Sequence, residues 1–312
     1  GNITPFVASP FGGQGGGTAY GYHNGGLYPG PTSAQGKYSY AADGDSTSVA
    51  SLNTARYAHA AMNSDTEGYC LGGESIPPLH VEKHNFASNT QSVVGTNPSL
   101  WNTNGGVGTN SSTHGYTIGG ASPAPAGGGA ATTKIQKFAF ASDTVYQLVG
   151  EPFVMSLGSW AITHGSGHAS YTHGYRAGGH GGPQIDNIEK WSFATDSASE
   201  FVANMNRGID TGCRGGSSGT HGYIMGGHGP SQTEIDRFSF ETDSISTDFG
   251  DLFHGEAYAS GTSSTTHAYM AGGGHPQIDT IQKIDFAGSG GSTNVGNLGV
   301  GGGRAYLGGF QD

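Results

Sequence analysis

The sequence predicts an all-β fold assembled from six copies of one structural unit. A strand carrying a tyrosine, followed three residues later by two glycines, recurs with its tyrosine at Tyr22, Tyr69, Tyr116, Tyr175, Tyr223 and Tyr269. Successive tyrosines lie 47, 47, 59, 48 and 46 residues apart, which is typical of a supersecondary unit copied around a ring or along a stack. No stretch keeps apolar residues at helical spacing without an intervening glycine, so we expect no helix of useful length.

The fifth copy shows how one unit is built. After the Tyr223 strand, residues 234–240 alternate apolar and polar side chains with the two-residue period of a half-buried strand. Residues 242–244, Thr-Asp-Ser, then form a turn, because Asp and Ser side chains hydrogen-bond their own backbone. A third strand is predicted near 245–253 and a fourth, rich in small residues, near 256–264. Four short antiparallel strands per unit indicate a β-propeller blade, with the small-residue strand where blades converge on the axis.

The C-terminus decides the number of blades. The alternating strand occurs at residues 81–86, 135–140, 188–193, 235–240 and 281–286, with 37–40 as a weaker first copy. A seventh tyrosine, Tyr306, precedes two glycines and would suggest seven blades, but it lies only 20 residues after Phe286, where earlier steps are 29 or 30. Residues 304–306 instead align with 56–58, at the small-residue strand. We therefore favour six blades, with the C-terminal strand completing the blade of the Tyr22 strand, because this closure removes an open sheet edge.

This repeat resembles the kelch repeat of β-propellers, in which an aromatic-x-x-Gly-Gly strand precedes an alternating strand and a small-residue strand. Residues 264–273, Ser-Thr-Thr-His-Ala-Tyr-Met-Ala-Gly-Gly, together with 278–286 and the ending 295–312, are similar to repeats in virion structural proteins of marine tailed phages. One departure is that kelch blades often have a tryptophan after the second strand, whereas Trp191 lies inside it.

The resemblance covers residues 18–312 and implies a kelch-like propeller at a virion surface or another extracellular location. Such a protein would be a non-enzymatic capsid decoration or tail-fibre module that mediates assembly or adhesion. The implied partners are copies of itself or other virion proteins, and host-surface glycans are a further candidate.

Charge and composition disfavour two other classes of partner. The formal net charge is −11, with 12 Lys and Arg against 23 Asp and Glu, so clustered basic residues for nucleic acid are not expected. No run of eighteen apolar residues occurs, which disfavours membrane insertion. The two cysteines, Cys70 and Cys213, fall in units that face each other across a six-membered ring, so we expect free, half-buried thiols.

Histidines recur at equivalent positions of several units. One set precedes the tyrosine strand and the other follows the two glycines: His114, His173, His221 and His267, then His180, His228 and His275. Equivalent positions lie on a circle, too far apart to share one metal ion unless that circle is the inner channel. We interpret these imidazoles as packing groups that hydrogen-bond backbone at blade interfaces. The alternative is a histidine ring near the axis that would respond to pH near 6.

Catalytic motifs are not evident. Asp186, Asp236 and Asp279 recur singly rather than in a dense calcium loop, and we interpret them as turn residues and solvated charges. There is no Gly-x-Ser-x-Gly sequence and no supported Cys-His pair. We therefore predict no catalytic residue, no metal and no cofactor, and keep a secreted enzyme with a site at the channel mouth as a third hypothesis, since paired carboxylates assemble only in space.

Features outside the repeat point to binding. Trp101 and Trp160 occupy one position in neighbouring units, where the other units have Ala or Gly. Adjacent exposed tryptophans would stack on a sugar or anchor a protein, which favours a lectin-like alternative that also uses the loop at 121–133. The competing interpretation is that both rings fill a gap between blades.

The first seventeen residues precede the ring and form a predicted N-terminal arm, residues 1–17, ahead of the propeller at 18–312. Its apolar side chains are Ile3, Phe6, Val7 and Phe11, followed by a glycine-rich tether. Such an arm would seal an edge of its own ring or add to a neighbouring subunit, and we favour the neighbour.

Overall fold

The computed structural model describes residues 18–74, 80–96, 104–121, 134–153, 162–180, 185–207, 211–229, 232–274, 276–288 and 290–312. Within these ranges the chain forms six four-stranded antiparallel sheets and no α-helix. The all-β, six-bladed propeller is confirmed, and the seven-blade alternative is wrong. The arm residues Ile3, Phe6, Val7 and Phe11, together with Trp101 and Trp160, lie outside the described residues.

In blades 2 to 6 the strands run outward from the axis in chain order, and in blade 1 the C-terminal strand is innermost. We number the blades by their repeat tyrosines, from Tyr22 in blade 1 to Tyr269 in blade 6. Blade 1 contains β1 (Tyr20–Asn24), β2 (Gln35–Ser39), β3 (Thr47–Ser48) and the C-terminal β24 (Gly308–Gln311); blade 2 contains β4 (Ala60–Asn63), β5 (Glu67–Leu71), β6 (His80–Asn85) and β7 (Thr90–Thr96); blade 3 contains β8 (Val107–Asn110), β9 (His114–Ile118), β10 (Ile135–Ala139) and β11 (Thr144–Gly150).

Blades 4 to 6 follow the same plan. Blade 4 contains β12 (Ser166–Ala169), β13 (His173–Ala177), β14 (Asn187–Ser192) and β15 (Glu200–Asn204); blade 5 contains β16 (Arg214–Ser217), β17 (His221–Met225), β18 (Glu234–Ser239) and β19 (Thr247–Asp251); blade 6 contains β20 (Ser260–Ser263), β21 (His267–Gly273), β22 (Ile278–Asp285) and β23 (Ser292–Asn297). The small-residue strand pairs with the tyrosine strand that follows it, so each sheet begins one strand earlier than the unit defined from the sequence.

The two ends of the chain close the ring as expected. Strand β24 pairs with β1, with Phe310 opposite Tyr22, and becomes the innermost strand of blade 1. The Asp312 carboxylate accepts hydrogen bonds from the backbone N–H groups of Ala19 and Tyr20. The six inner strands contact one another in cyclic order, β4, β8, β12, β16, β20 and β24, and β24 contacts β4. Blade 1 is therefore shared between the termini.

The repeat tyrosines hold neighbouring blades together. Each is at most 2% exposed and packs against the last aromatic side chain of the alternating strand in the next blade, with ring centroids 4.6 to 5.1 Å apart. The pairs are Tyr22–Phe86, Tyr69–Phe140, Tyr116–Phe193, Tyr175–Phe240, Tyr223–Phe286 and Tyr269–Tyr40. Each such aromatic pair contributes roughly 0.5–1.5 kcal/mol to stability beyond the burial of its apolar surface. Because every repeat provides one pair, the period of the sequence is also the period of the blade interface.

The turn aspartates join blades near the rim. Asn89, Asp143, Asp196 and Asp243 adopt a left-handed backbone conformation, with φ between 48° and 52°. Their side chains accept hydrogen bonds from lysines of the preceding blade: Lys37, Lys83, Lys137 and Lys190. Lys283 and Asp43 form an equivalent ion pair at 2.7 Å between blades 6 and 1. Asp243, which the sequence predicted as a turn former, therefore also links two blades.

The inner strands approach each other so closely that one position admits almost only glycine. The second residue of the inner strand is Ala61 in blade 2 and glycine in the others: Gly108, Gly167, Gly215, Gly261 and Gly309. A Cβ added to Gly167 would lie 2.4 Å from the carbonyl oxygen of Gly108, and one on Gly215 would lie 2.1 Å from that of Gly167. Around the axis, the backbones of neighbouring inner strands are therefore in direct contact.

We expect the variant Gly167→Ala to lose roughly 1–3 kcal/mol of unfolding free energy, because its methyl group overlaps a backbone atom that cannot move without opening the ring. Gly30→Ala is the matched control, since nothing lies within 4 Å of a Cβ there. Guanidinium-induced unfolding of both variants tests this, and equal midpoints for the two would contradict it.

Candidate functional site: the axial channel

The two faces of the ring carry different connections. One face, which we call the cap face, holds the Gly-Gly turns after the tyrosine strands and the crossings from outer to inner strands. The opposite turn face holds the short bends before the tyrosine strands and the Asp turns. The segments that contain Trp101 and the 121–133 loop both start or end at the cap face, where Asn104 and Ala121 form a β-bridge. The described ends of the segments that differ in length between the repeats therefore lie mainly at the cap face.

A belt of backbone hydrogen bonds surrounds the axis at the cap face. One residue per blade, two before the inner strand, has a φ between 53° and 79°: Ala58, Gly105, His164, Gly212, Tyr258 and Tyr306. The N–H of each donates to the carbonyl of its counterpart in the preceding blade at 2.7 to 2.9 Å, for the first five of these residues. The sixth link runs from the N–H of Leu307 to the carbonyl of Tyr258 at 3.3 Å. The belt maintains a left-handed conformation that Ala, His and Tyr otherwise avoid.

Three rings from this belt cover the channel. The ring centroids of Tyr258 and Tyr306 lie 4.2 Å apart in a stack, and His164 meets them edge-on at 5.3 and 5.7 Å. These side chains come from blades 4, 6 and 1, so they can all touch only near the axis. The smaller belt residues make room for them, since a Cβ on Gly105 or Gly212 would collide with the neighbouring ring. We call His164, Tyr258 and Tyr306 the aromatic cap.

Beneath the cap lies a cavity of about 100 Å³. It is lined by the inner-strand glycines and by four side chains that can form polar contacts, His59, His164, Ser166 and Arg214. The His59 Nε2 lies 2.5 Å from the Asn24 Oδ1, while its buried Nδ1 has no partner. The buried Nε2 of His164 also has no partner. Burial, together with nearby arginines, lowers the pKa of both imidazoles to about 3, so both are neutral at ordinary pH.

Toward the turn face, the channel continues as a second cavity of about 70 Å³ with polar walls. The last residue of each inner strand provides a second belt, in which a backbone N–H donates to a side-chain oxygen of the next blade. Five links are formed: Asn63 to Asn110, Ala169 to Ser217, Ser217 to Ser263, Ser263 to Gln311 and Gln311 to Asn63. Ala169 has no side-chain oxygen and cannot accept the sixth. The repeat symmetry is therefore broken next to blade 4.

Buried ionic pairs lie inside three blades, away from the channel. The carboxylates Glu82, Glu189 and Asp236 pair with Arg56, Arg176 and Arg207 respectively. Asp236 is 1% exposed, so its interpretation as a solvated charge is wrong. The signal was the alternating strand itself, because its third residue points into the blade interior. These carboxylates have structural partners and are not arranged around a common pocket.

In blade 6 the corresponding place holds Gln282, and Glu256 stands where blade 2 has Arg56. The Glu256 Oε1 accepts hydrogen bonds from the side chains of Thr280 and Gln282, while the buried Oε2 has no partner. Burial raises the pKa of Glu256 well above its ordinary value, and the two hydrogen bonds only partly oppose this. Glu256 is therefore expected to hold a proton in the folded protein at pH values where it is ionised in the unfolded chain.

The recurrent histidines do not reach the channel. The Nδ1 atoms of His114, His173, His221 and His267 lie 2.7 to 2.8 Å from the preceding threonine hydroxyls, and the rings pack beside the tyrosines of their own blades. These four imidazoles are packing groups, as interpreted, but they pack on tyrosines of their own blades and their hydrogen-bond partner is a hydroxyl rather than backbone. Of the second set, His180 is exposed, His228 is partly buried and His275 lies outside the described residues. In the ranges with coordinates, no group of three or more His, Cys, Asp or Glu is placed to hold a metal ion.

Cys70 and Cys213 are free thiols, as expected, but both are fully buried rather than half-buried. Burial raises the pKa of each thiol, which disfavours the reactive thiolate. His59, His164 and Arg214 were not selected from the sequence. An alignment of the six units at the belt position would have shown that His164 replaces small residues in the neighbouring blades.

Comparisons with known proteins do not assign the chain to a family. No protein-family model matches it, and no curated protein matches it. Among the described residues, no helix is long and apolar enough to cross a membrane.

We expect Glu256→Gln to gain stability relative to the unmodified protein as pH rises. Because the folded-state pKa of Glu256 is raised, its contribution is fully present below its unfolded-state pKa and is lost as pH increases through the folded-state value. The glutamine keeps the acceptor oxygen and has no proton to lose. Thermal unfolding from acidic to alkaline pH measures the difference in Tm, with the exposed Glu241→Gln as control. A difference for Glu256→Gln that stays constant with pH would contradict the prediction.

Proposed function

We propose that this protein is a non-enzymatic structural module of a virion surface, of the capsid-decoration or tail-fibre type, which mediates assembly or adhesion. The observation that carries the proposal is the contrast between the two faces. The turn face repeats the same bends and ion pairs, whereas the cap face holds the connections that differ in length between repeats. A rigid ring that displays variable loops on one side is suited to binding other macromolecules.

The ring resists deformation because its blades are joined at several radii. Backbone and side-chain belts join the inner strands, aromatic pairs join the middle strands, and lysine–aspartate contacts join the outer turns. The kelch-like and virion parts of the proposal are supported by the wording of the repeats, including residues 264–273 and 295–312. They depend on that resemblance alone.

Apolar side chains on the rim support contact with other proteins. Phe153 follows the outer strand of blade 3 and Phe201 lies in the outer strand of blade 4, and their ring centroids are 5.5 Å apart. Both remain more than a third exposed, and Leu148 of blade 3 is 61% exposed. An exposed aromatic pair across two blades is a feature of interaction surfaces rather than of an isolated ring. Copies of the same chain or other virion proteins are the partners proposed.

The arm provides the first test. We expect the full chain to form discrete oligomers or fibres, and Phe6→Ser/Phe11→Ser to shift it toward a single ring, because the apolar side chains would dock on a neighbour. Mass measurement in native buffer and negative-stain imaging report the change. Gln14→Ala, a polar substitution in the same segment, should leave the mass unchanged. If the full chain and the phenylalanine variant are both single rings, the assembly role of the arm is wrong.

A lectin-like function is the second candidate, favoured by one observation. The segments containing Trp101 and Trp160 adjoin Asn104 and Ile162, at equivalent points of the cap face in neighbouring blades 3 and 4. Ligands held there would also meet the loop at 121–133. Host-surface glycans are the ligand class, since sugars stack on aromatic rings.

We expect Trp101→Ala/Trp160→Ala to lose binding to glycans that the unmodified protein retains on an array. Trp191→Phe is the matched control, because Trp191 is buried in β14 and its replacement leaves the cap face intact. Binding that survives in the Trp101/Trp160 variant, or no binding by the unmodified protein, would count against this candidate.

A further inference from the structure

We propose that the axial channel binds a small inorganic anion of halide size beside Arg214. This inference does not depend on the proposed function. The cavity under the aromatic cap has the volume, about 100 Å³, to hold such an ion with a few waters.

Arg214 contributes the positive charge. Its Nε and one terminal nitrogen donate to the backbone carbonyls of Ala259 and Cys213, which are neutral acceptors. Within the described ranges, no Asp or Glu carboxylate forms an ion pair with the partly buried Arg214, whereas Arg56, Arg176 and Arg207 each have one. The buried Arg304 likewise has no carboxylate, but its terminal nitrogens contact the Val300 carbonyl and the His23 Nδ1. Arg214 keeps its charge beside the cavity, so an ion of opposite charge would compensate it.

The imidazole of His164 contributes an unused polar atom. Its Nε2 is buried without a partner, and the residue lines the same cavity as Arg214. A neutral imidazole can place its single N–H on either nitrogen, so Nε2 can donate to an anion in the channel. Ring contacts with Tyr258 and Tyr306 hold this imidazole over the axis.

Backbone donors complete the environment. At the turn-face end of the inner strands, the N–H groups of Ala169, Ser217, Ser263, Gln311 and Asn63 leave their own sheets for the next blade. Along an antiparallel strand, successive N–H groups point to alternate sides. The N–H groups that lie two positions earlier in each inner strand therefore also point away from the tyrosine strand. These belong to Gly167, Gly215, Gly261, Gly309 and Ala61, all of which line the channel.

The sign of the charge selects an anion over a cation. The side chains described around both cavities include Arg214 and no carboxylate. A cation would meet the guanidinium in a confined space where charges are poorly screened, whereas an anion meets one positive charge and the N–H donors of residues whose carbonyl oxygens abut the next inner strand. Water alone would satisfy the donors but would leave the charge of Arg214 uncompensated.

Bromide is the probe for the first experiment. Sodium bromide replaces sodium gluconate at constant ionic strength, because gluconate is too large for the cavity. The Tm of the full chain should rise, relative to Arg214→Gln, by roughly 2 °C for each tenfold increase in bromide above the dissociation constant. Arg237→Gln, which removes an arginine that packs on Phe249 outside the channel, should behave like the unmodified protein. Parallel Tm curves for the unmodified protein and Arg214→Gln would overturn the proposal.

A second measurement keeps the test decisive if Arg214→Gln does not fold. Crystals of the unmodified protein grown in bromide should show an anomalous peak on the axis, between Arg214 and His164. An axis without a bromide peak would overturn the proposal.

Discussion

The close approach of six inner strands at the axis is the constraint on which the rest of the structure depends. At the second position of these strands, even a single Cβ added to a glycine would lie 2.1 to 2.8 Å from a neighbouring carbonyl oxygen, as at Gly167 and Gly215. Because backbone meets backbone there, hydrogen-bond belts form at both ends of the strands. Those belts fix the angle between blades. The tyrosine stacks and the lysine–aspartate contacts then fall at radii where one repeat can reach the next.

The same constraint concentrates asymmetry in the channel. Inner strands made of small residues leave space, and only a few larger side chains enter it, namely His59, His164 and Arg214 below the rings of Tyr258 and Tyr306. Several buried charges are paired, as Arg56 and Glu82 are at 2.6 Å. Burying charge is costly unless it is compensated, so the charged groups that form no ion pair among the described residues, Glu256, Arg304 and the partly buried Arg214, are informative.

Function is proposed to lie at the surface rather than at a reaction centre. The cap face displays the irregular connections, and the rim exposes Phe153 and Phe201 as a neighbouring pair. A ring held together by repeated contacts tolerates changes in such loops, because the loops do not contribute to the belts or the tyrosine stacks. Adhesion and assembly can therefore be combined in one module.

The sequence by itself determined the blade number and the closure of blade 1 by the C-terminal strand. Each of these follows from a local pattern, a tyrosine with two glycines or a strand with period two, repeated at a fixed distance. Tertiary structure alone decided which side chains meet at the axis. His164, Tyr258 and Tyr306 are 48 to 142 residues apart and share no motif, yet the ring brings them together because all occupy the belt position of their blades. Contacts that depend on closure of the ring are invisible to any pattern within a single repeat.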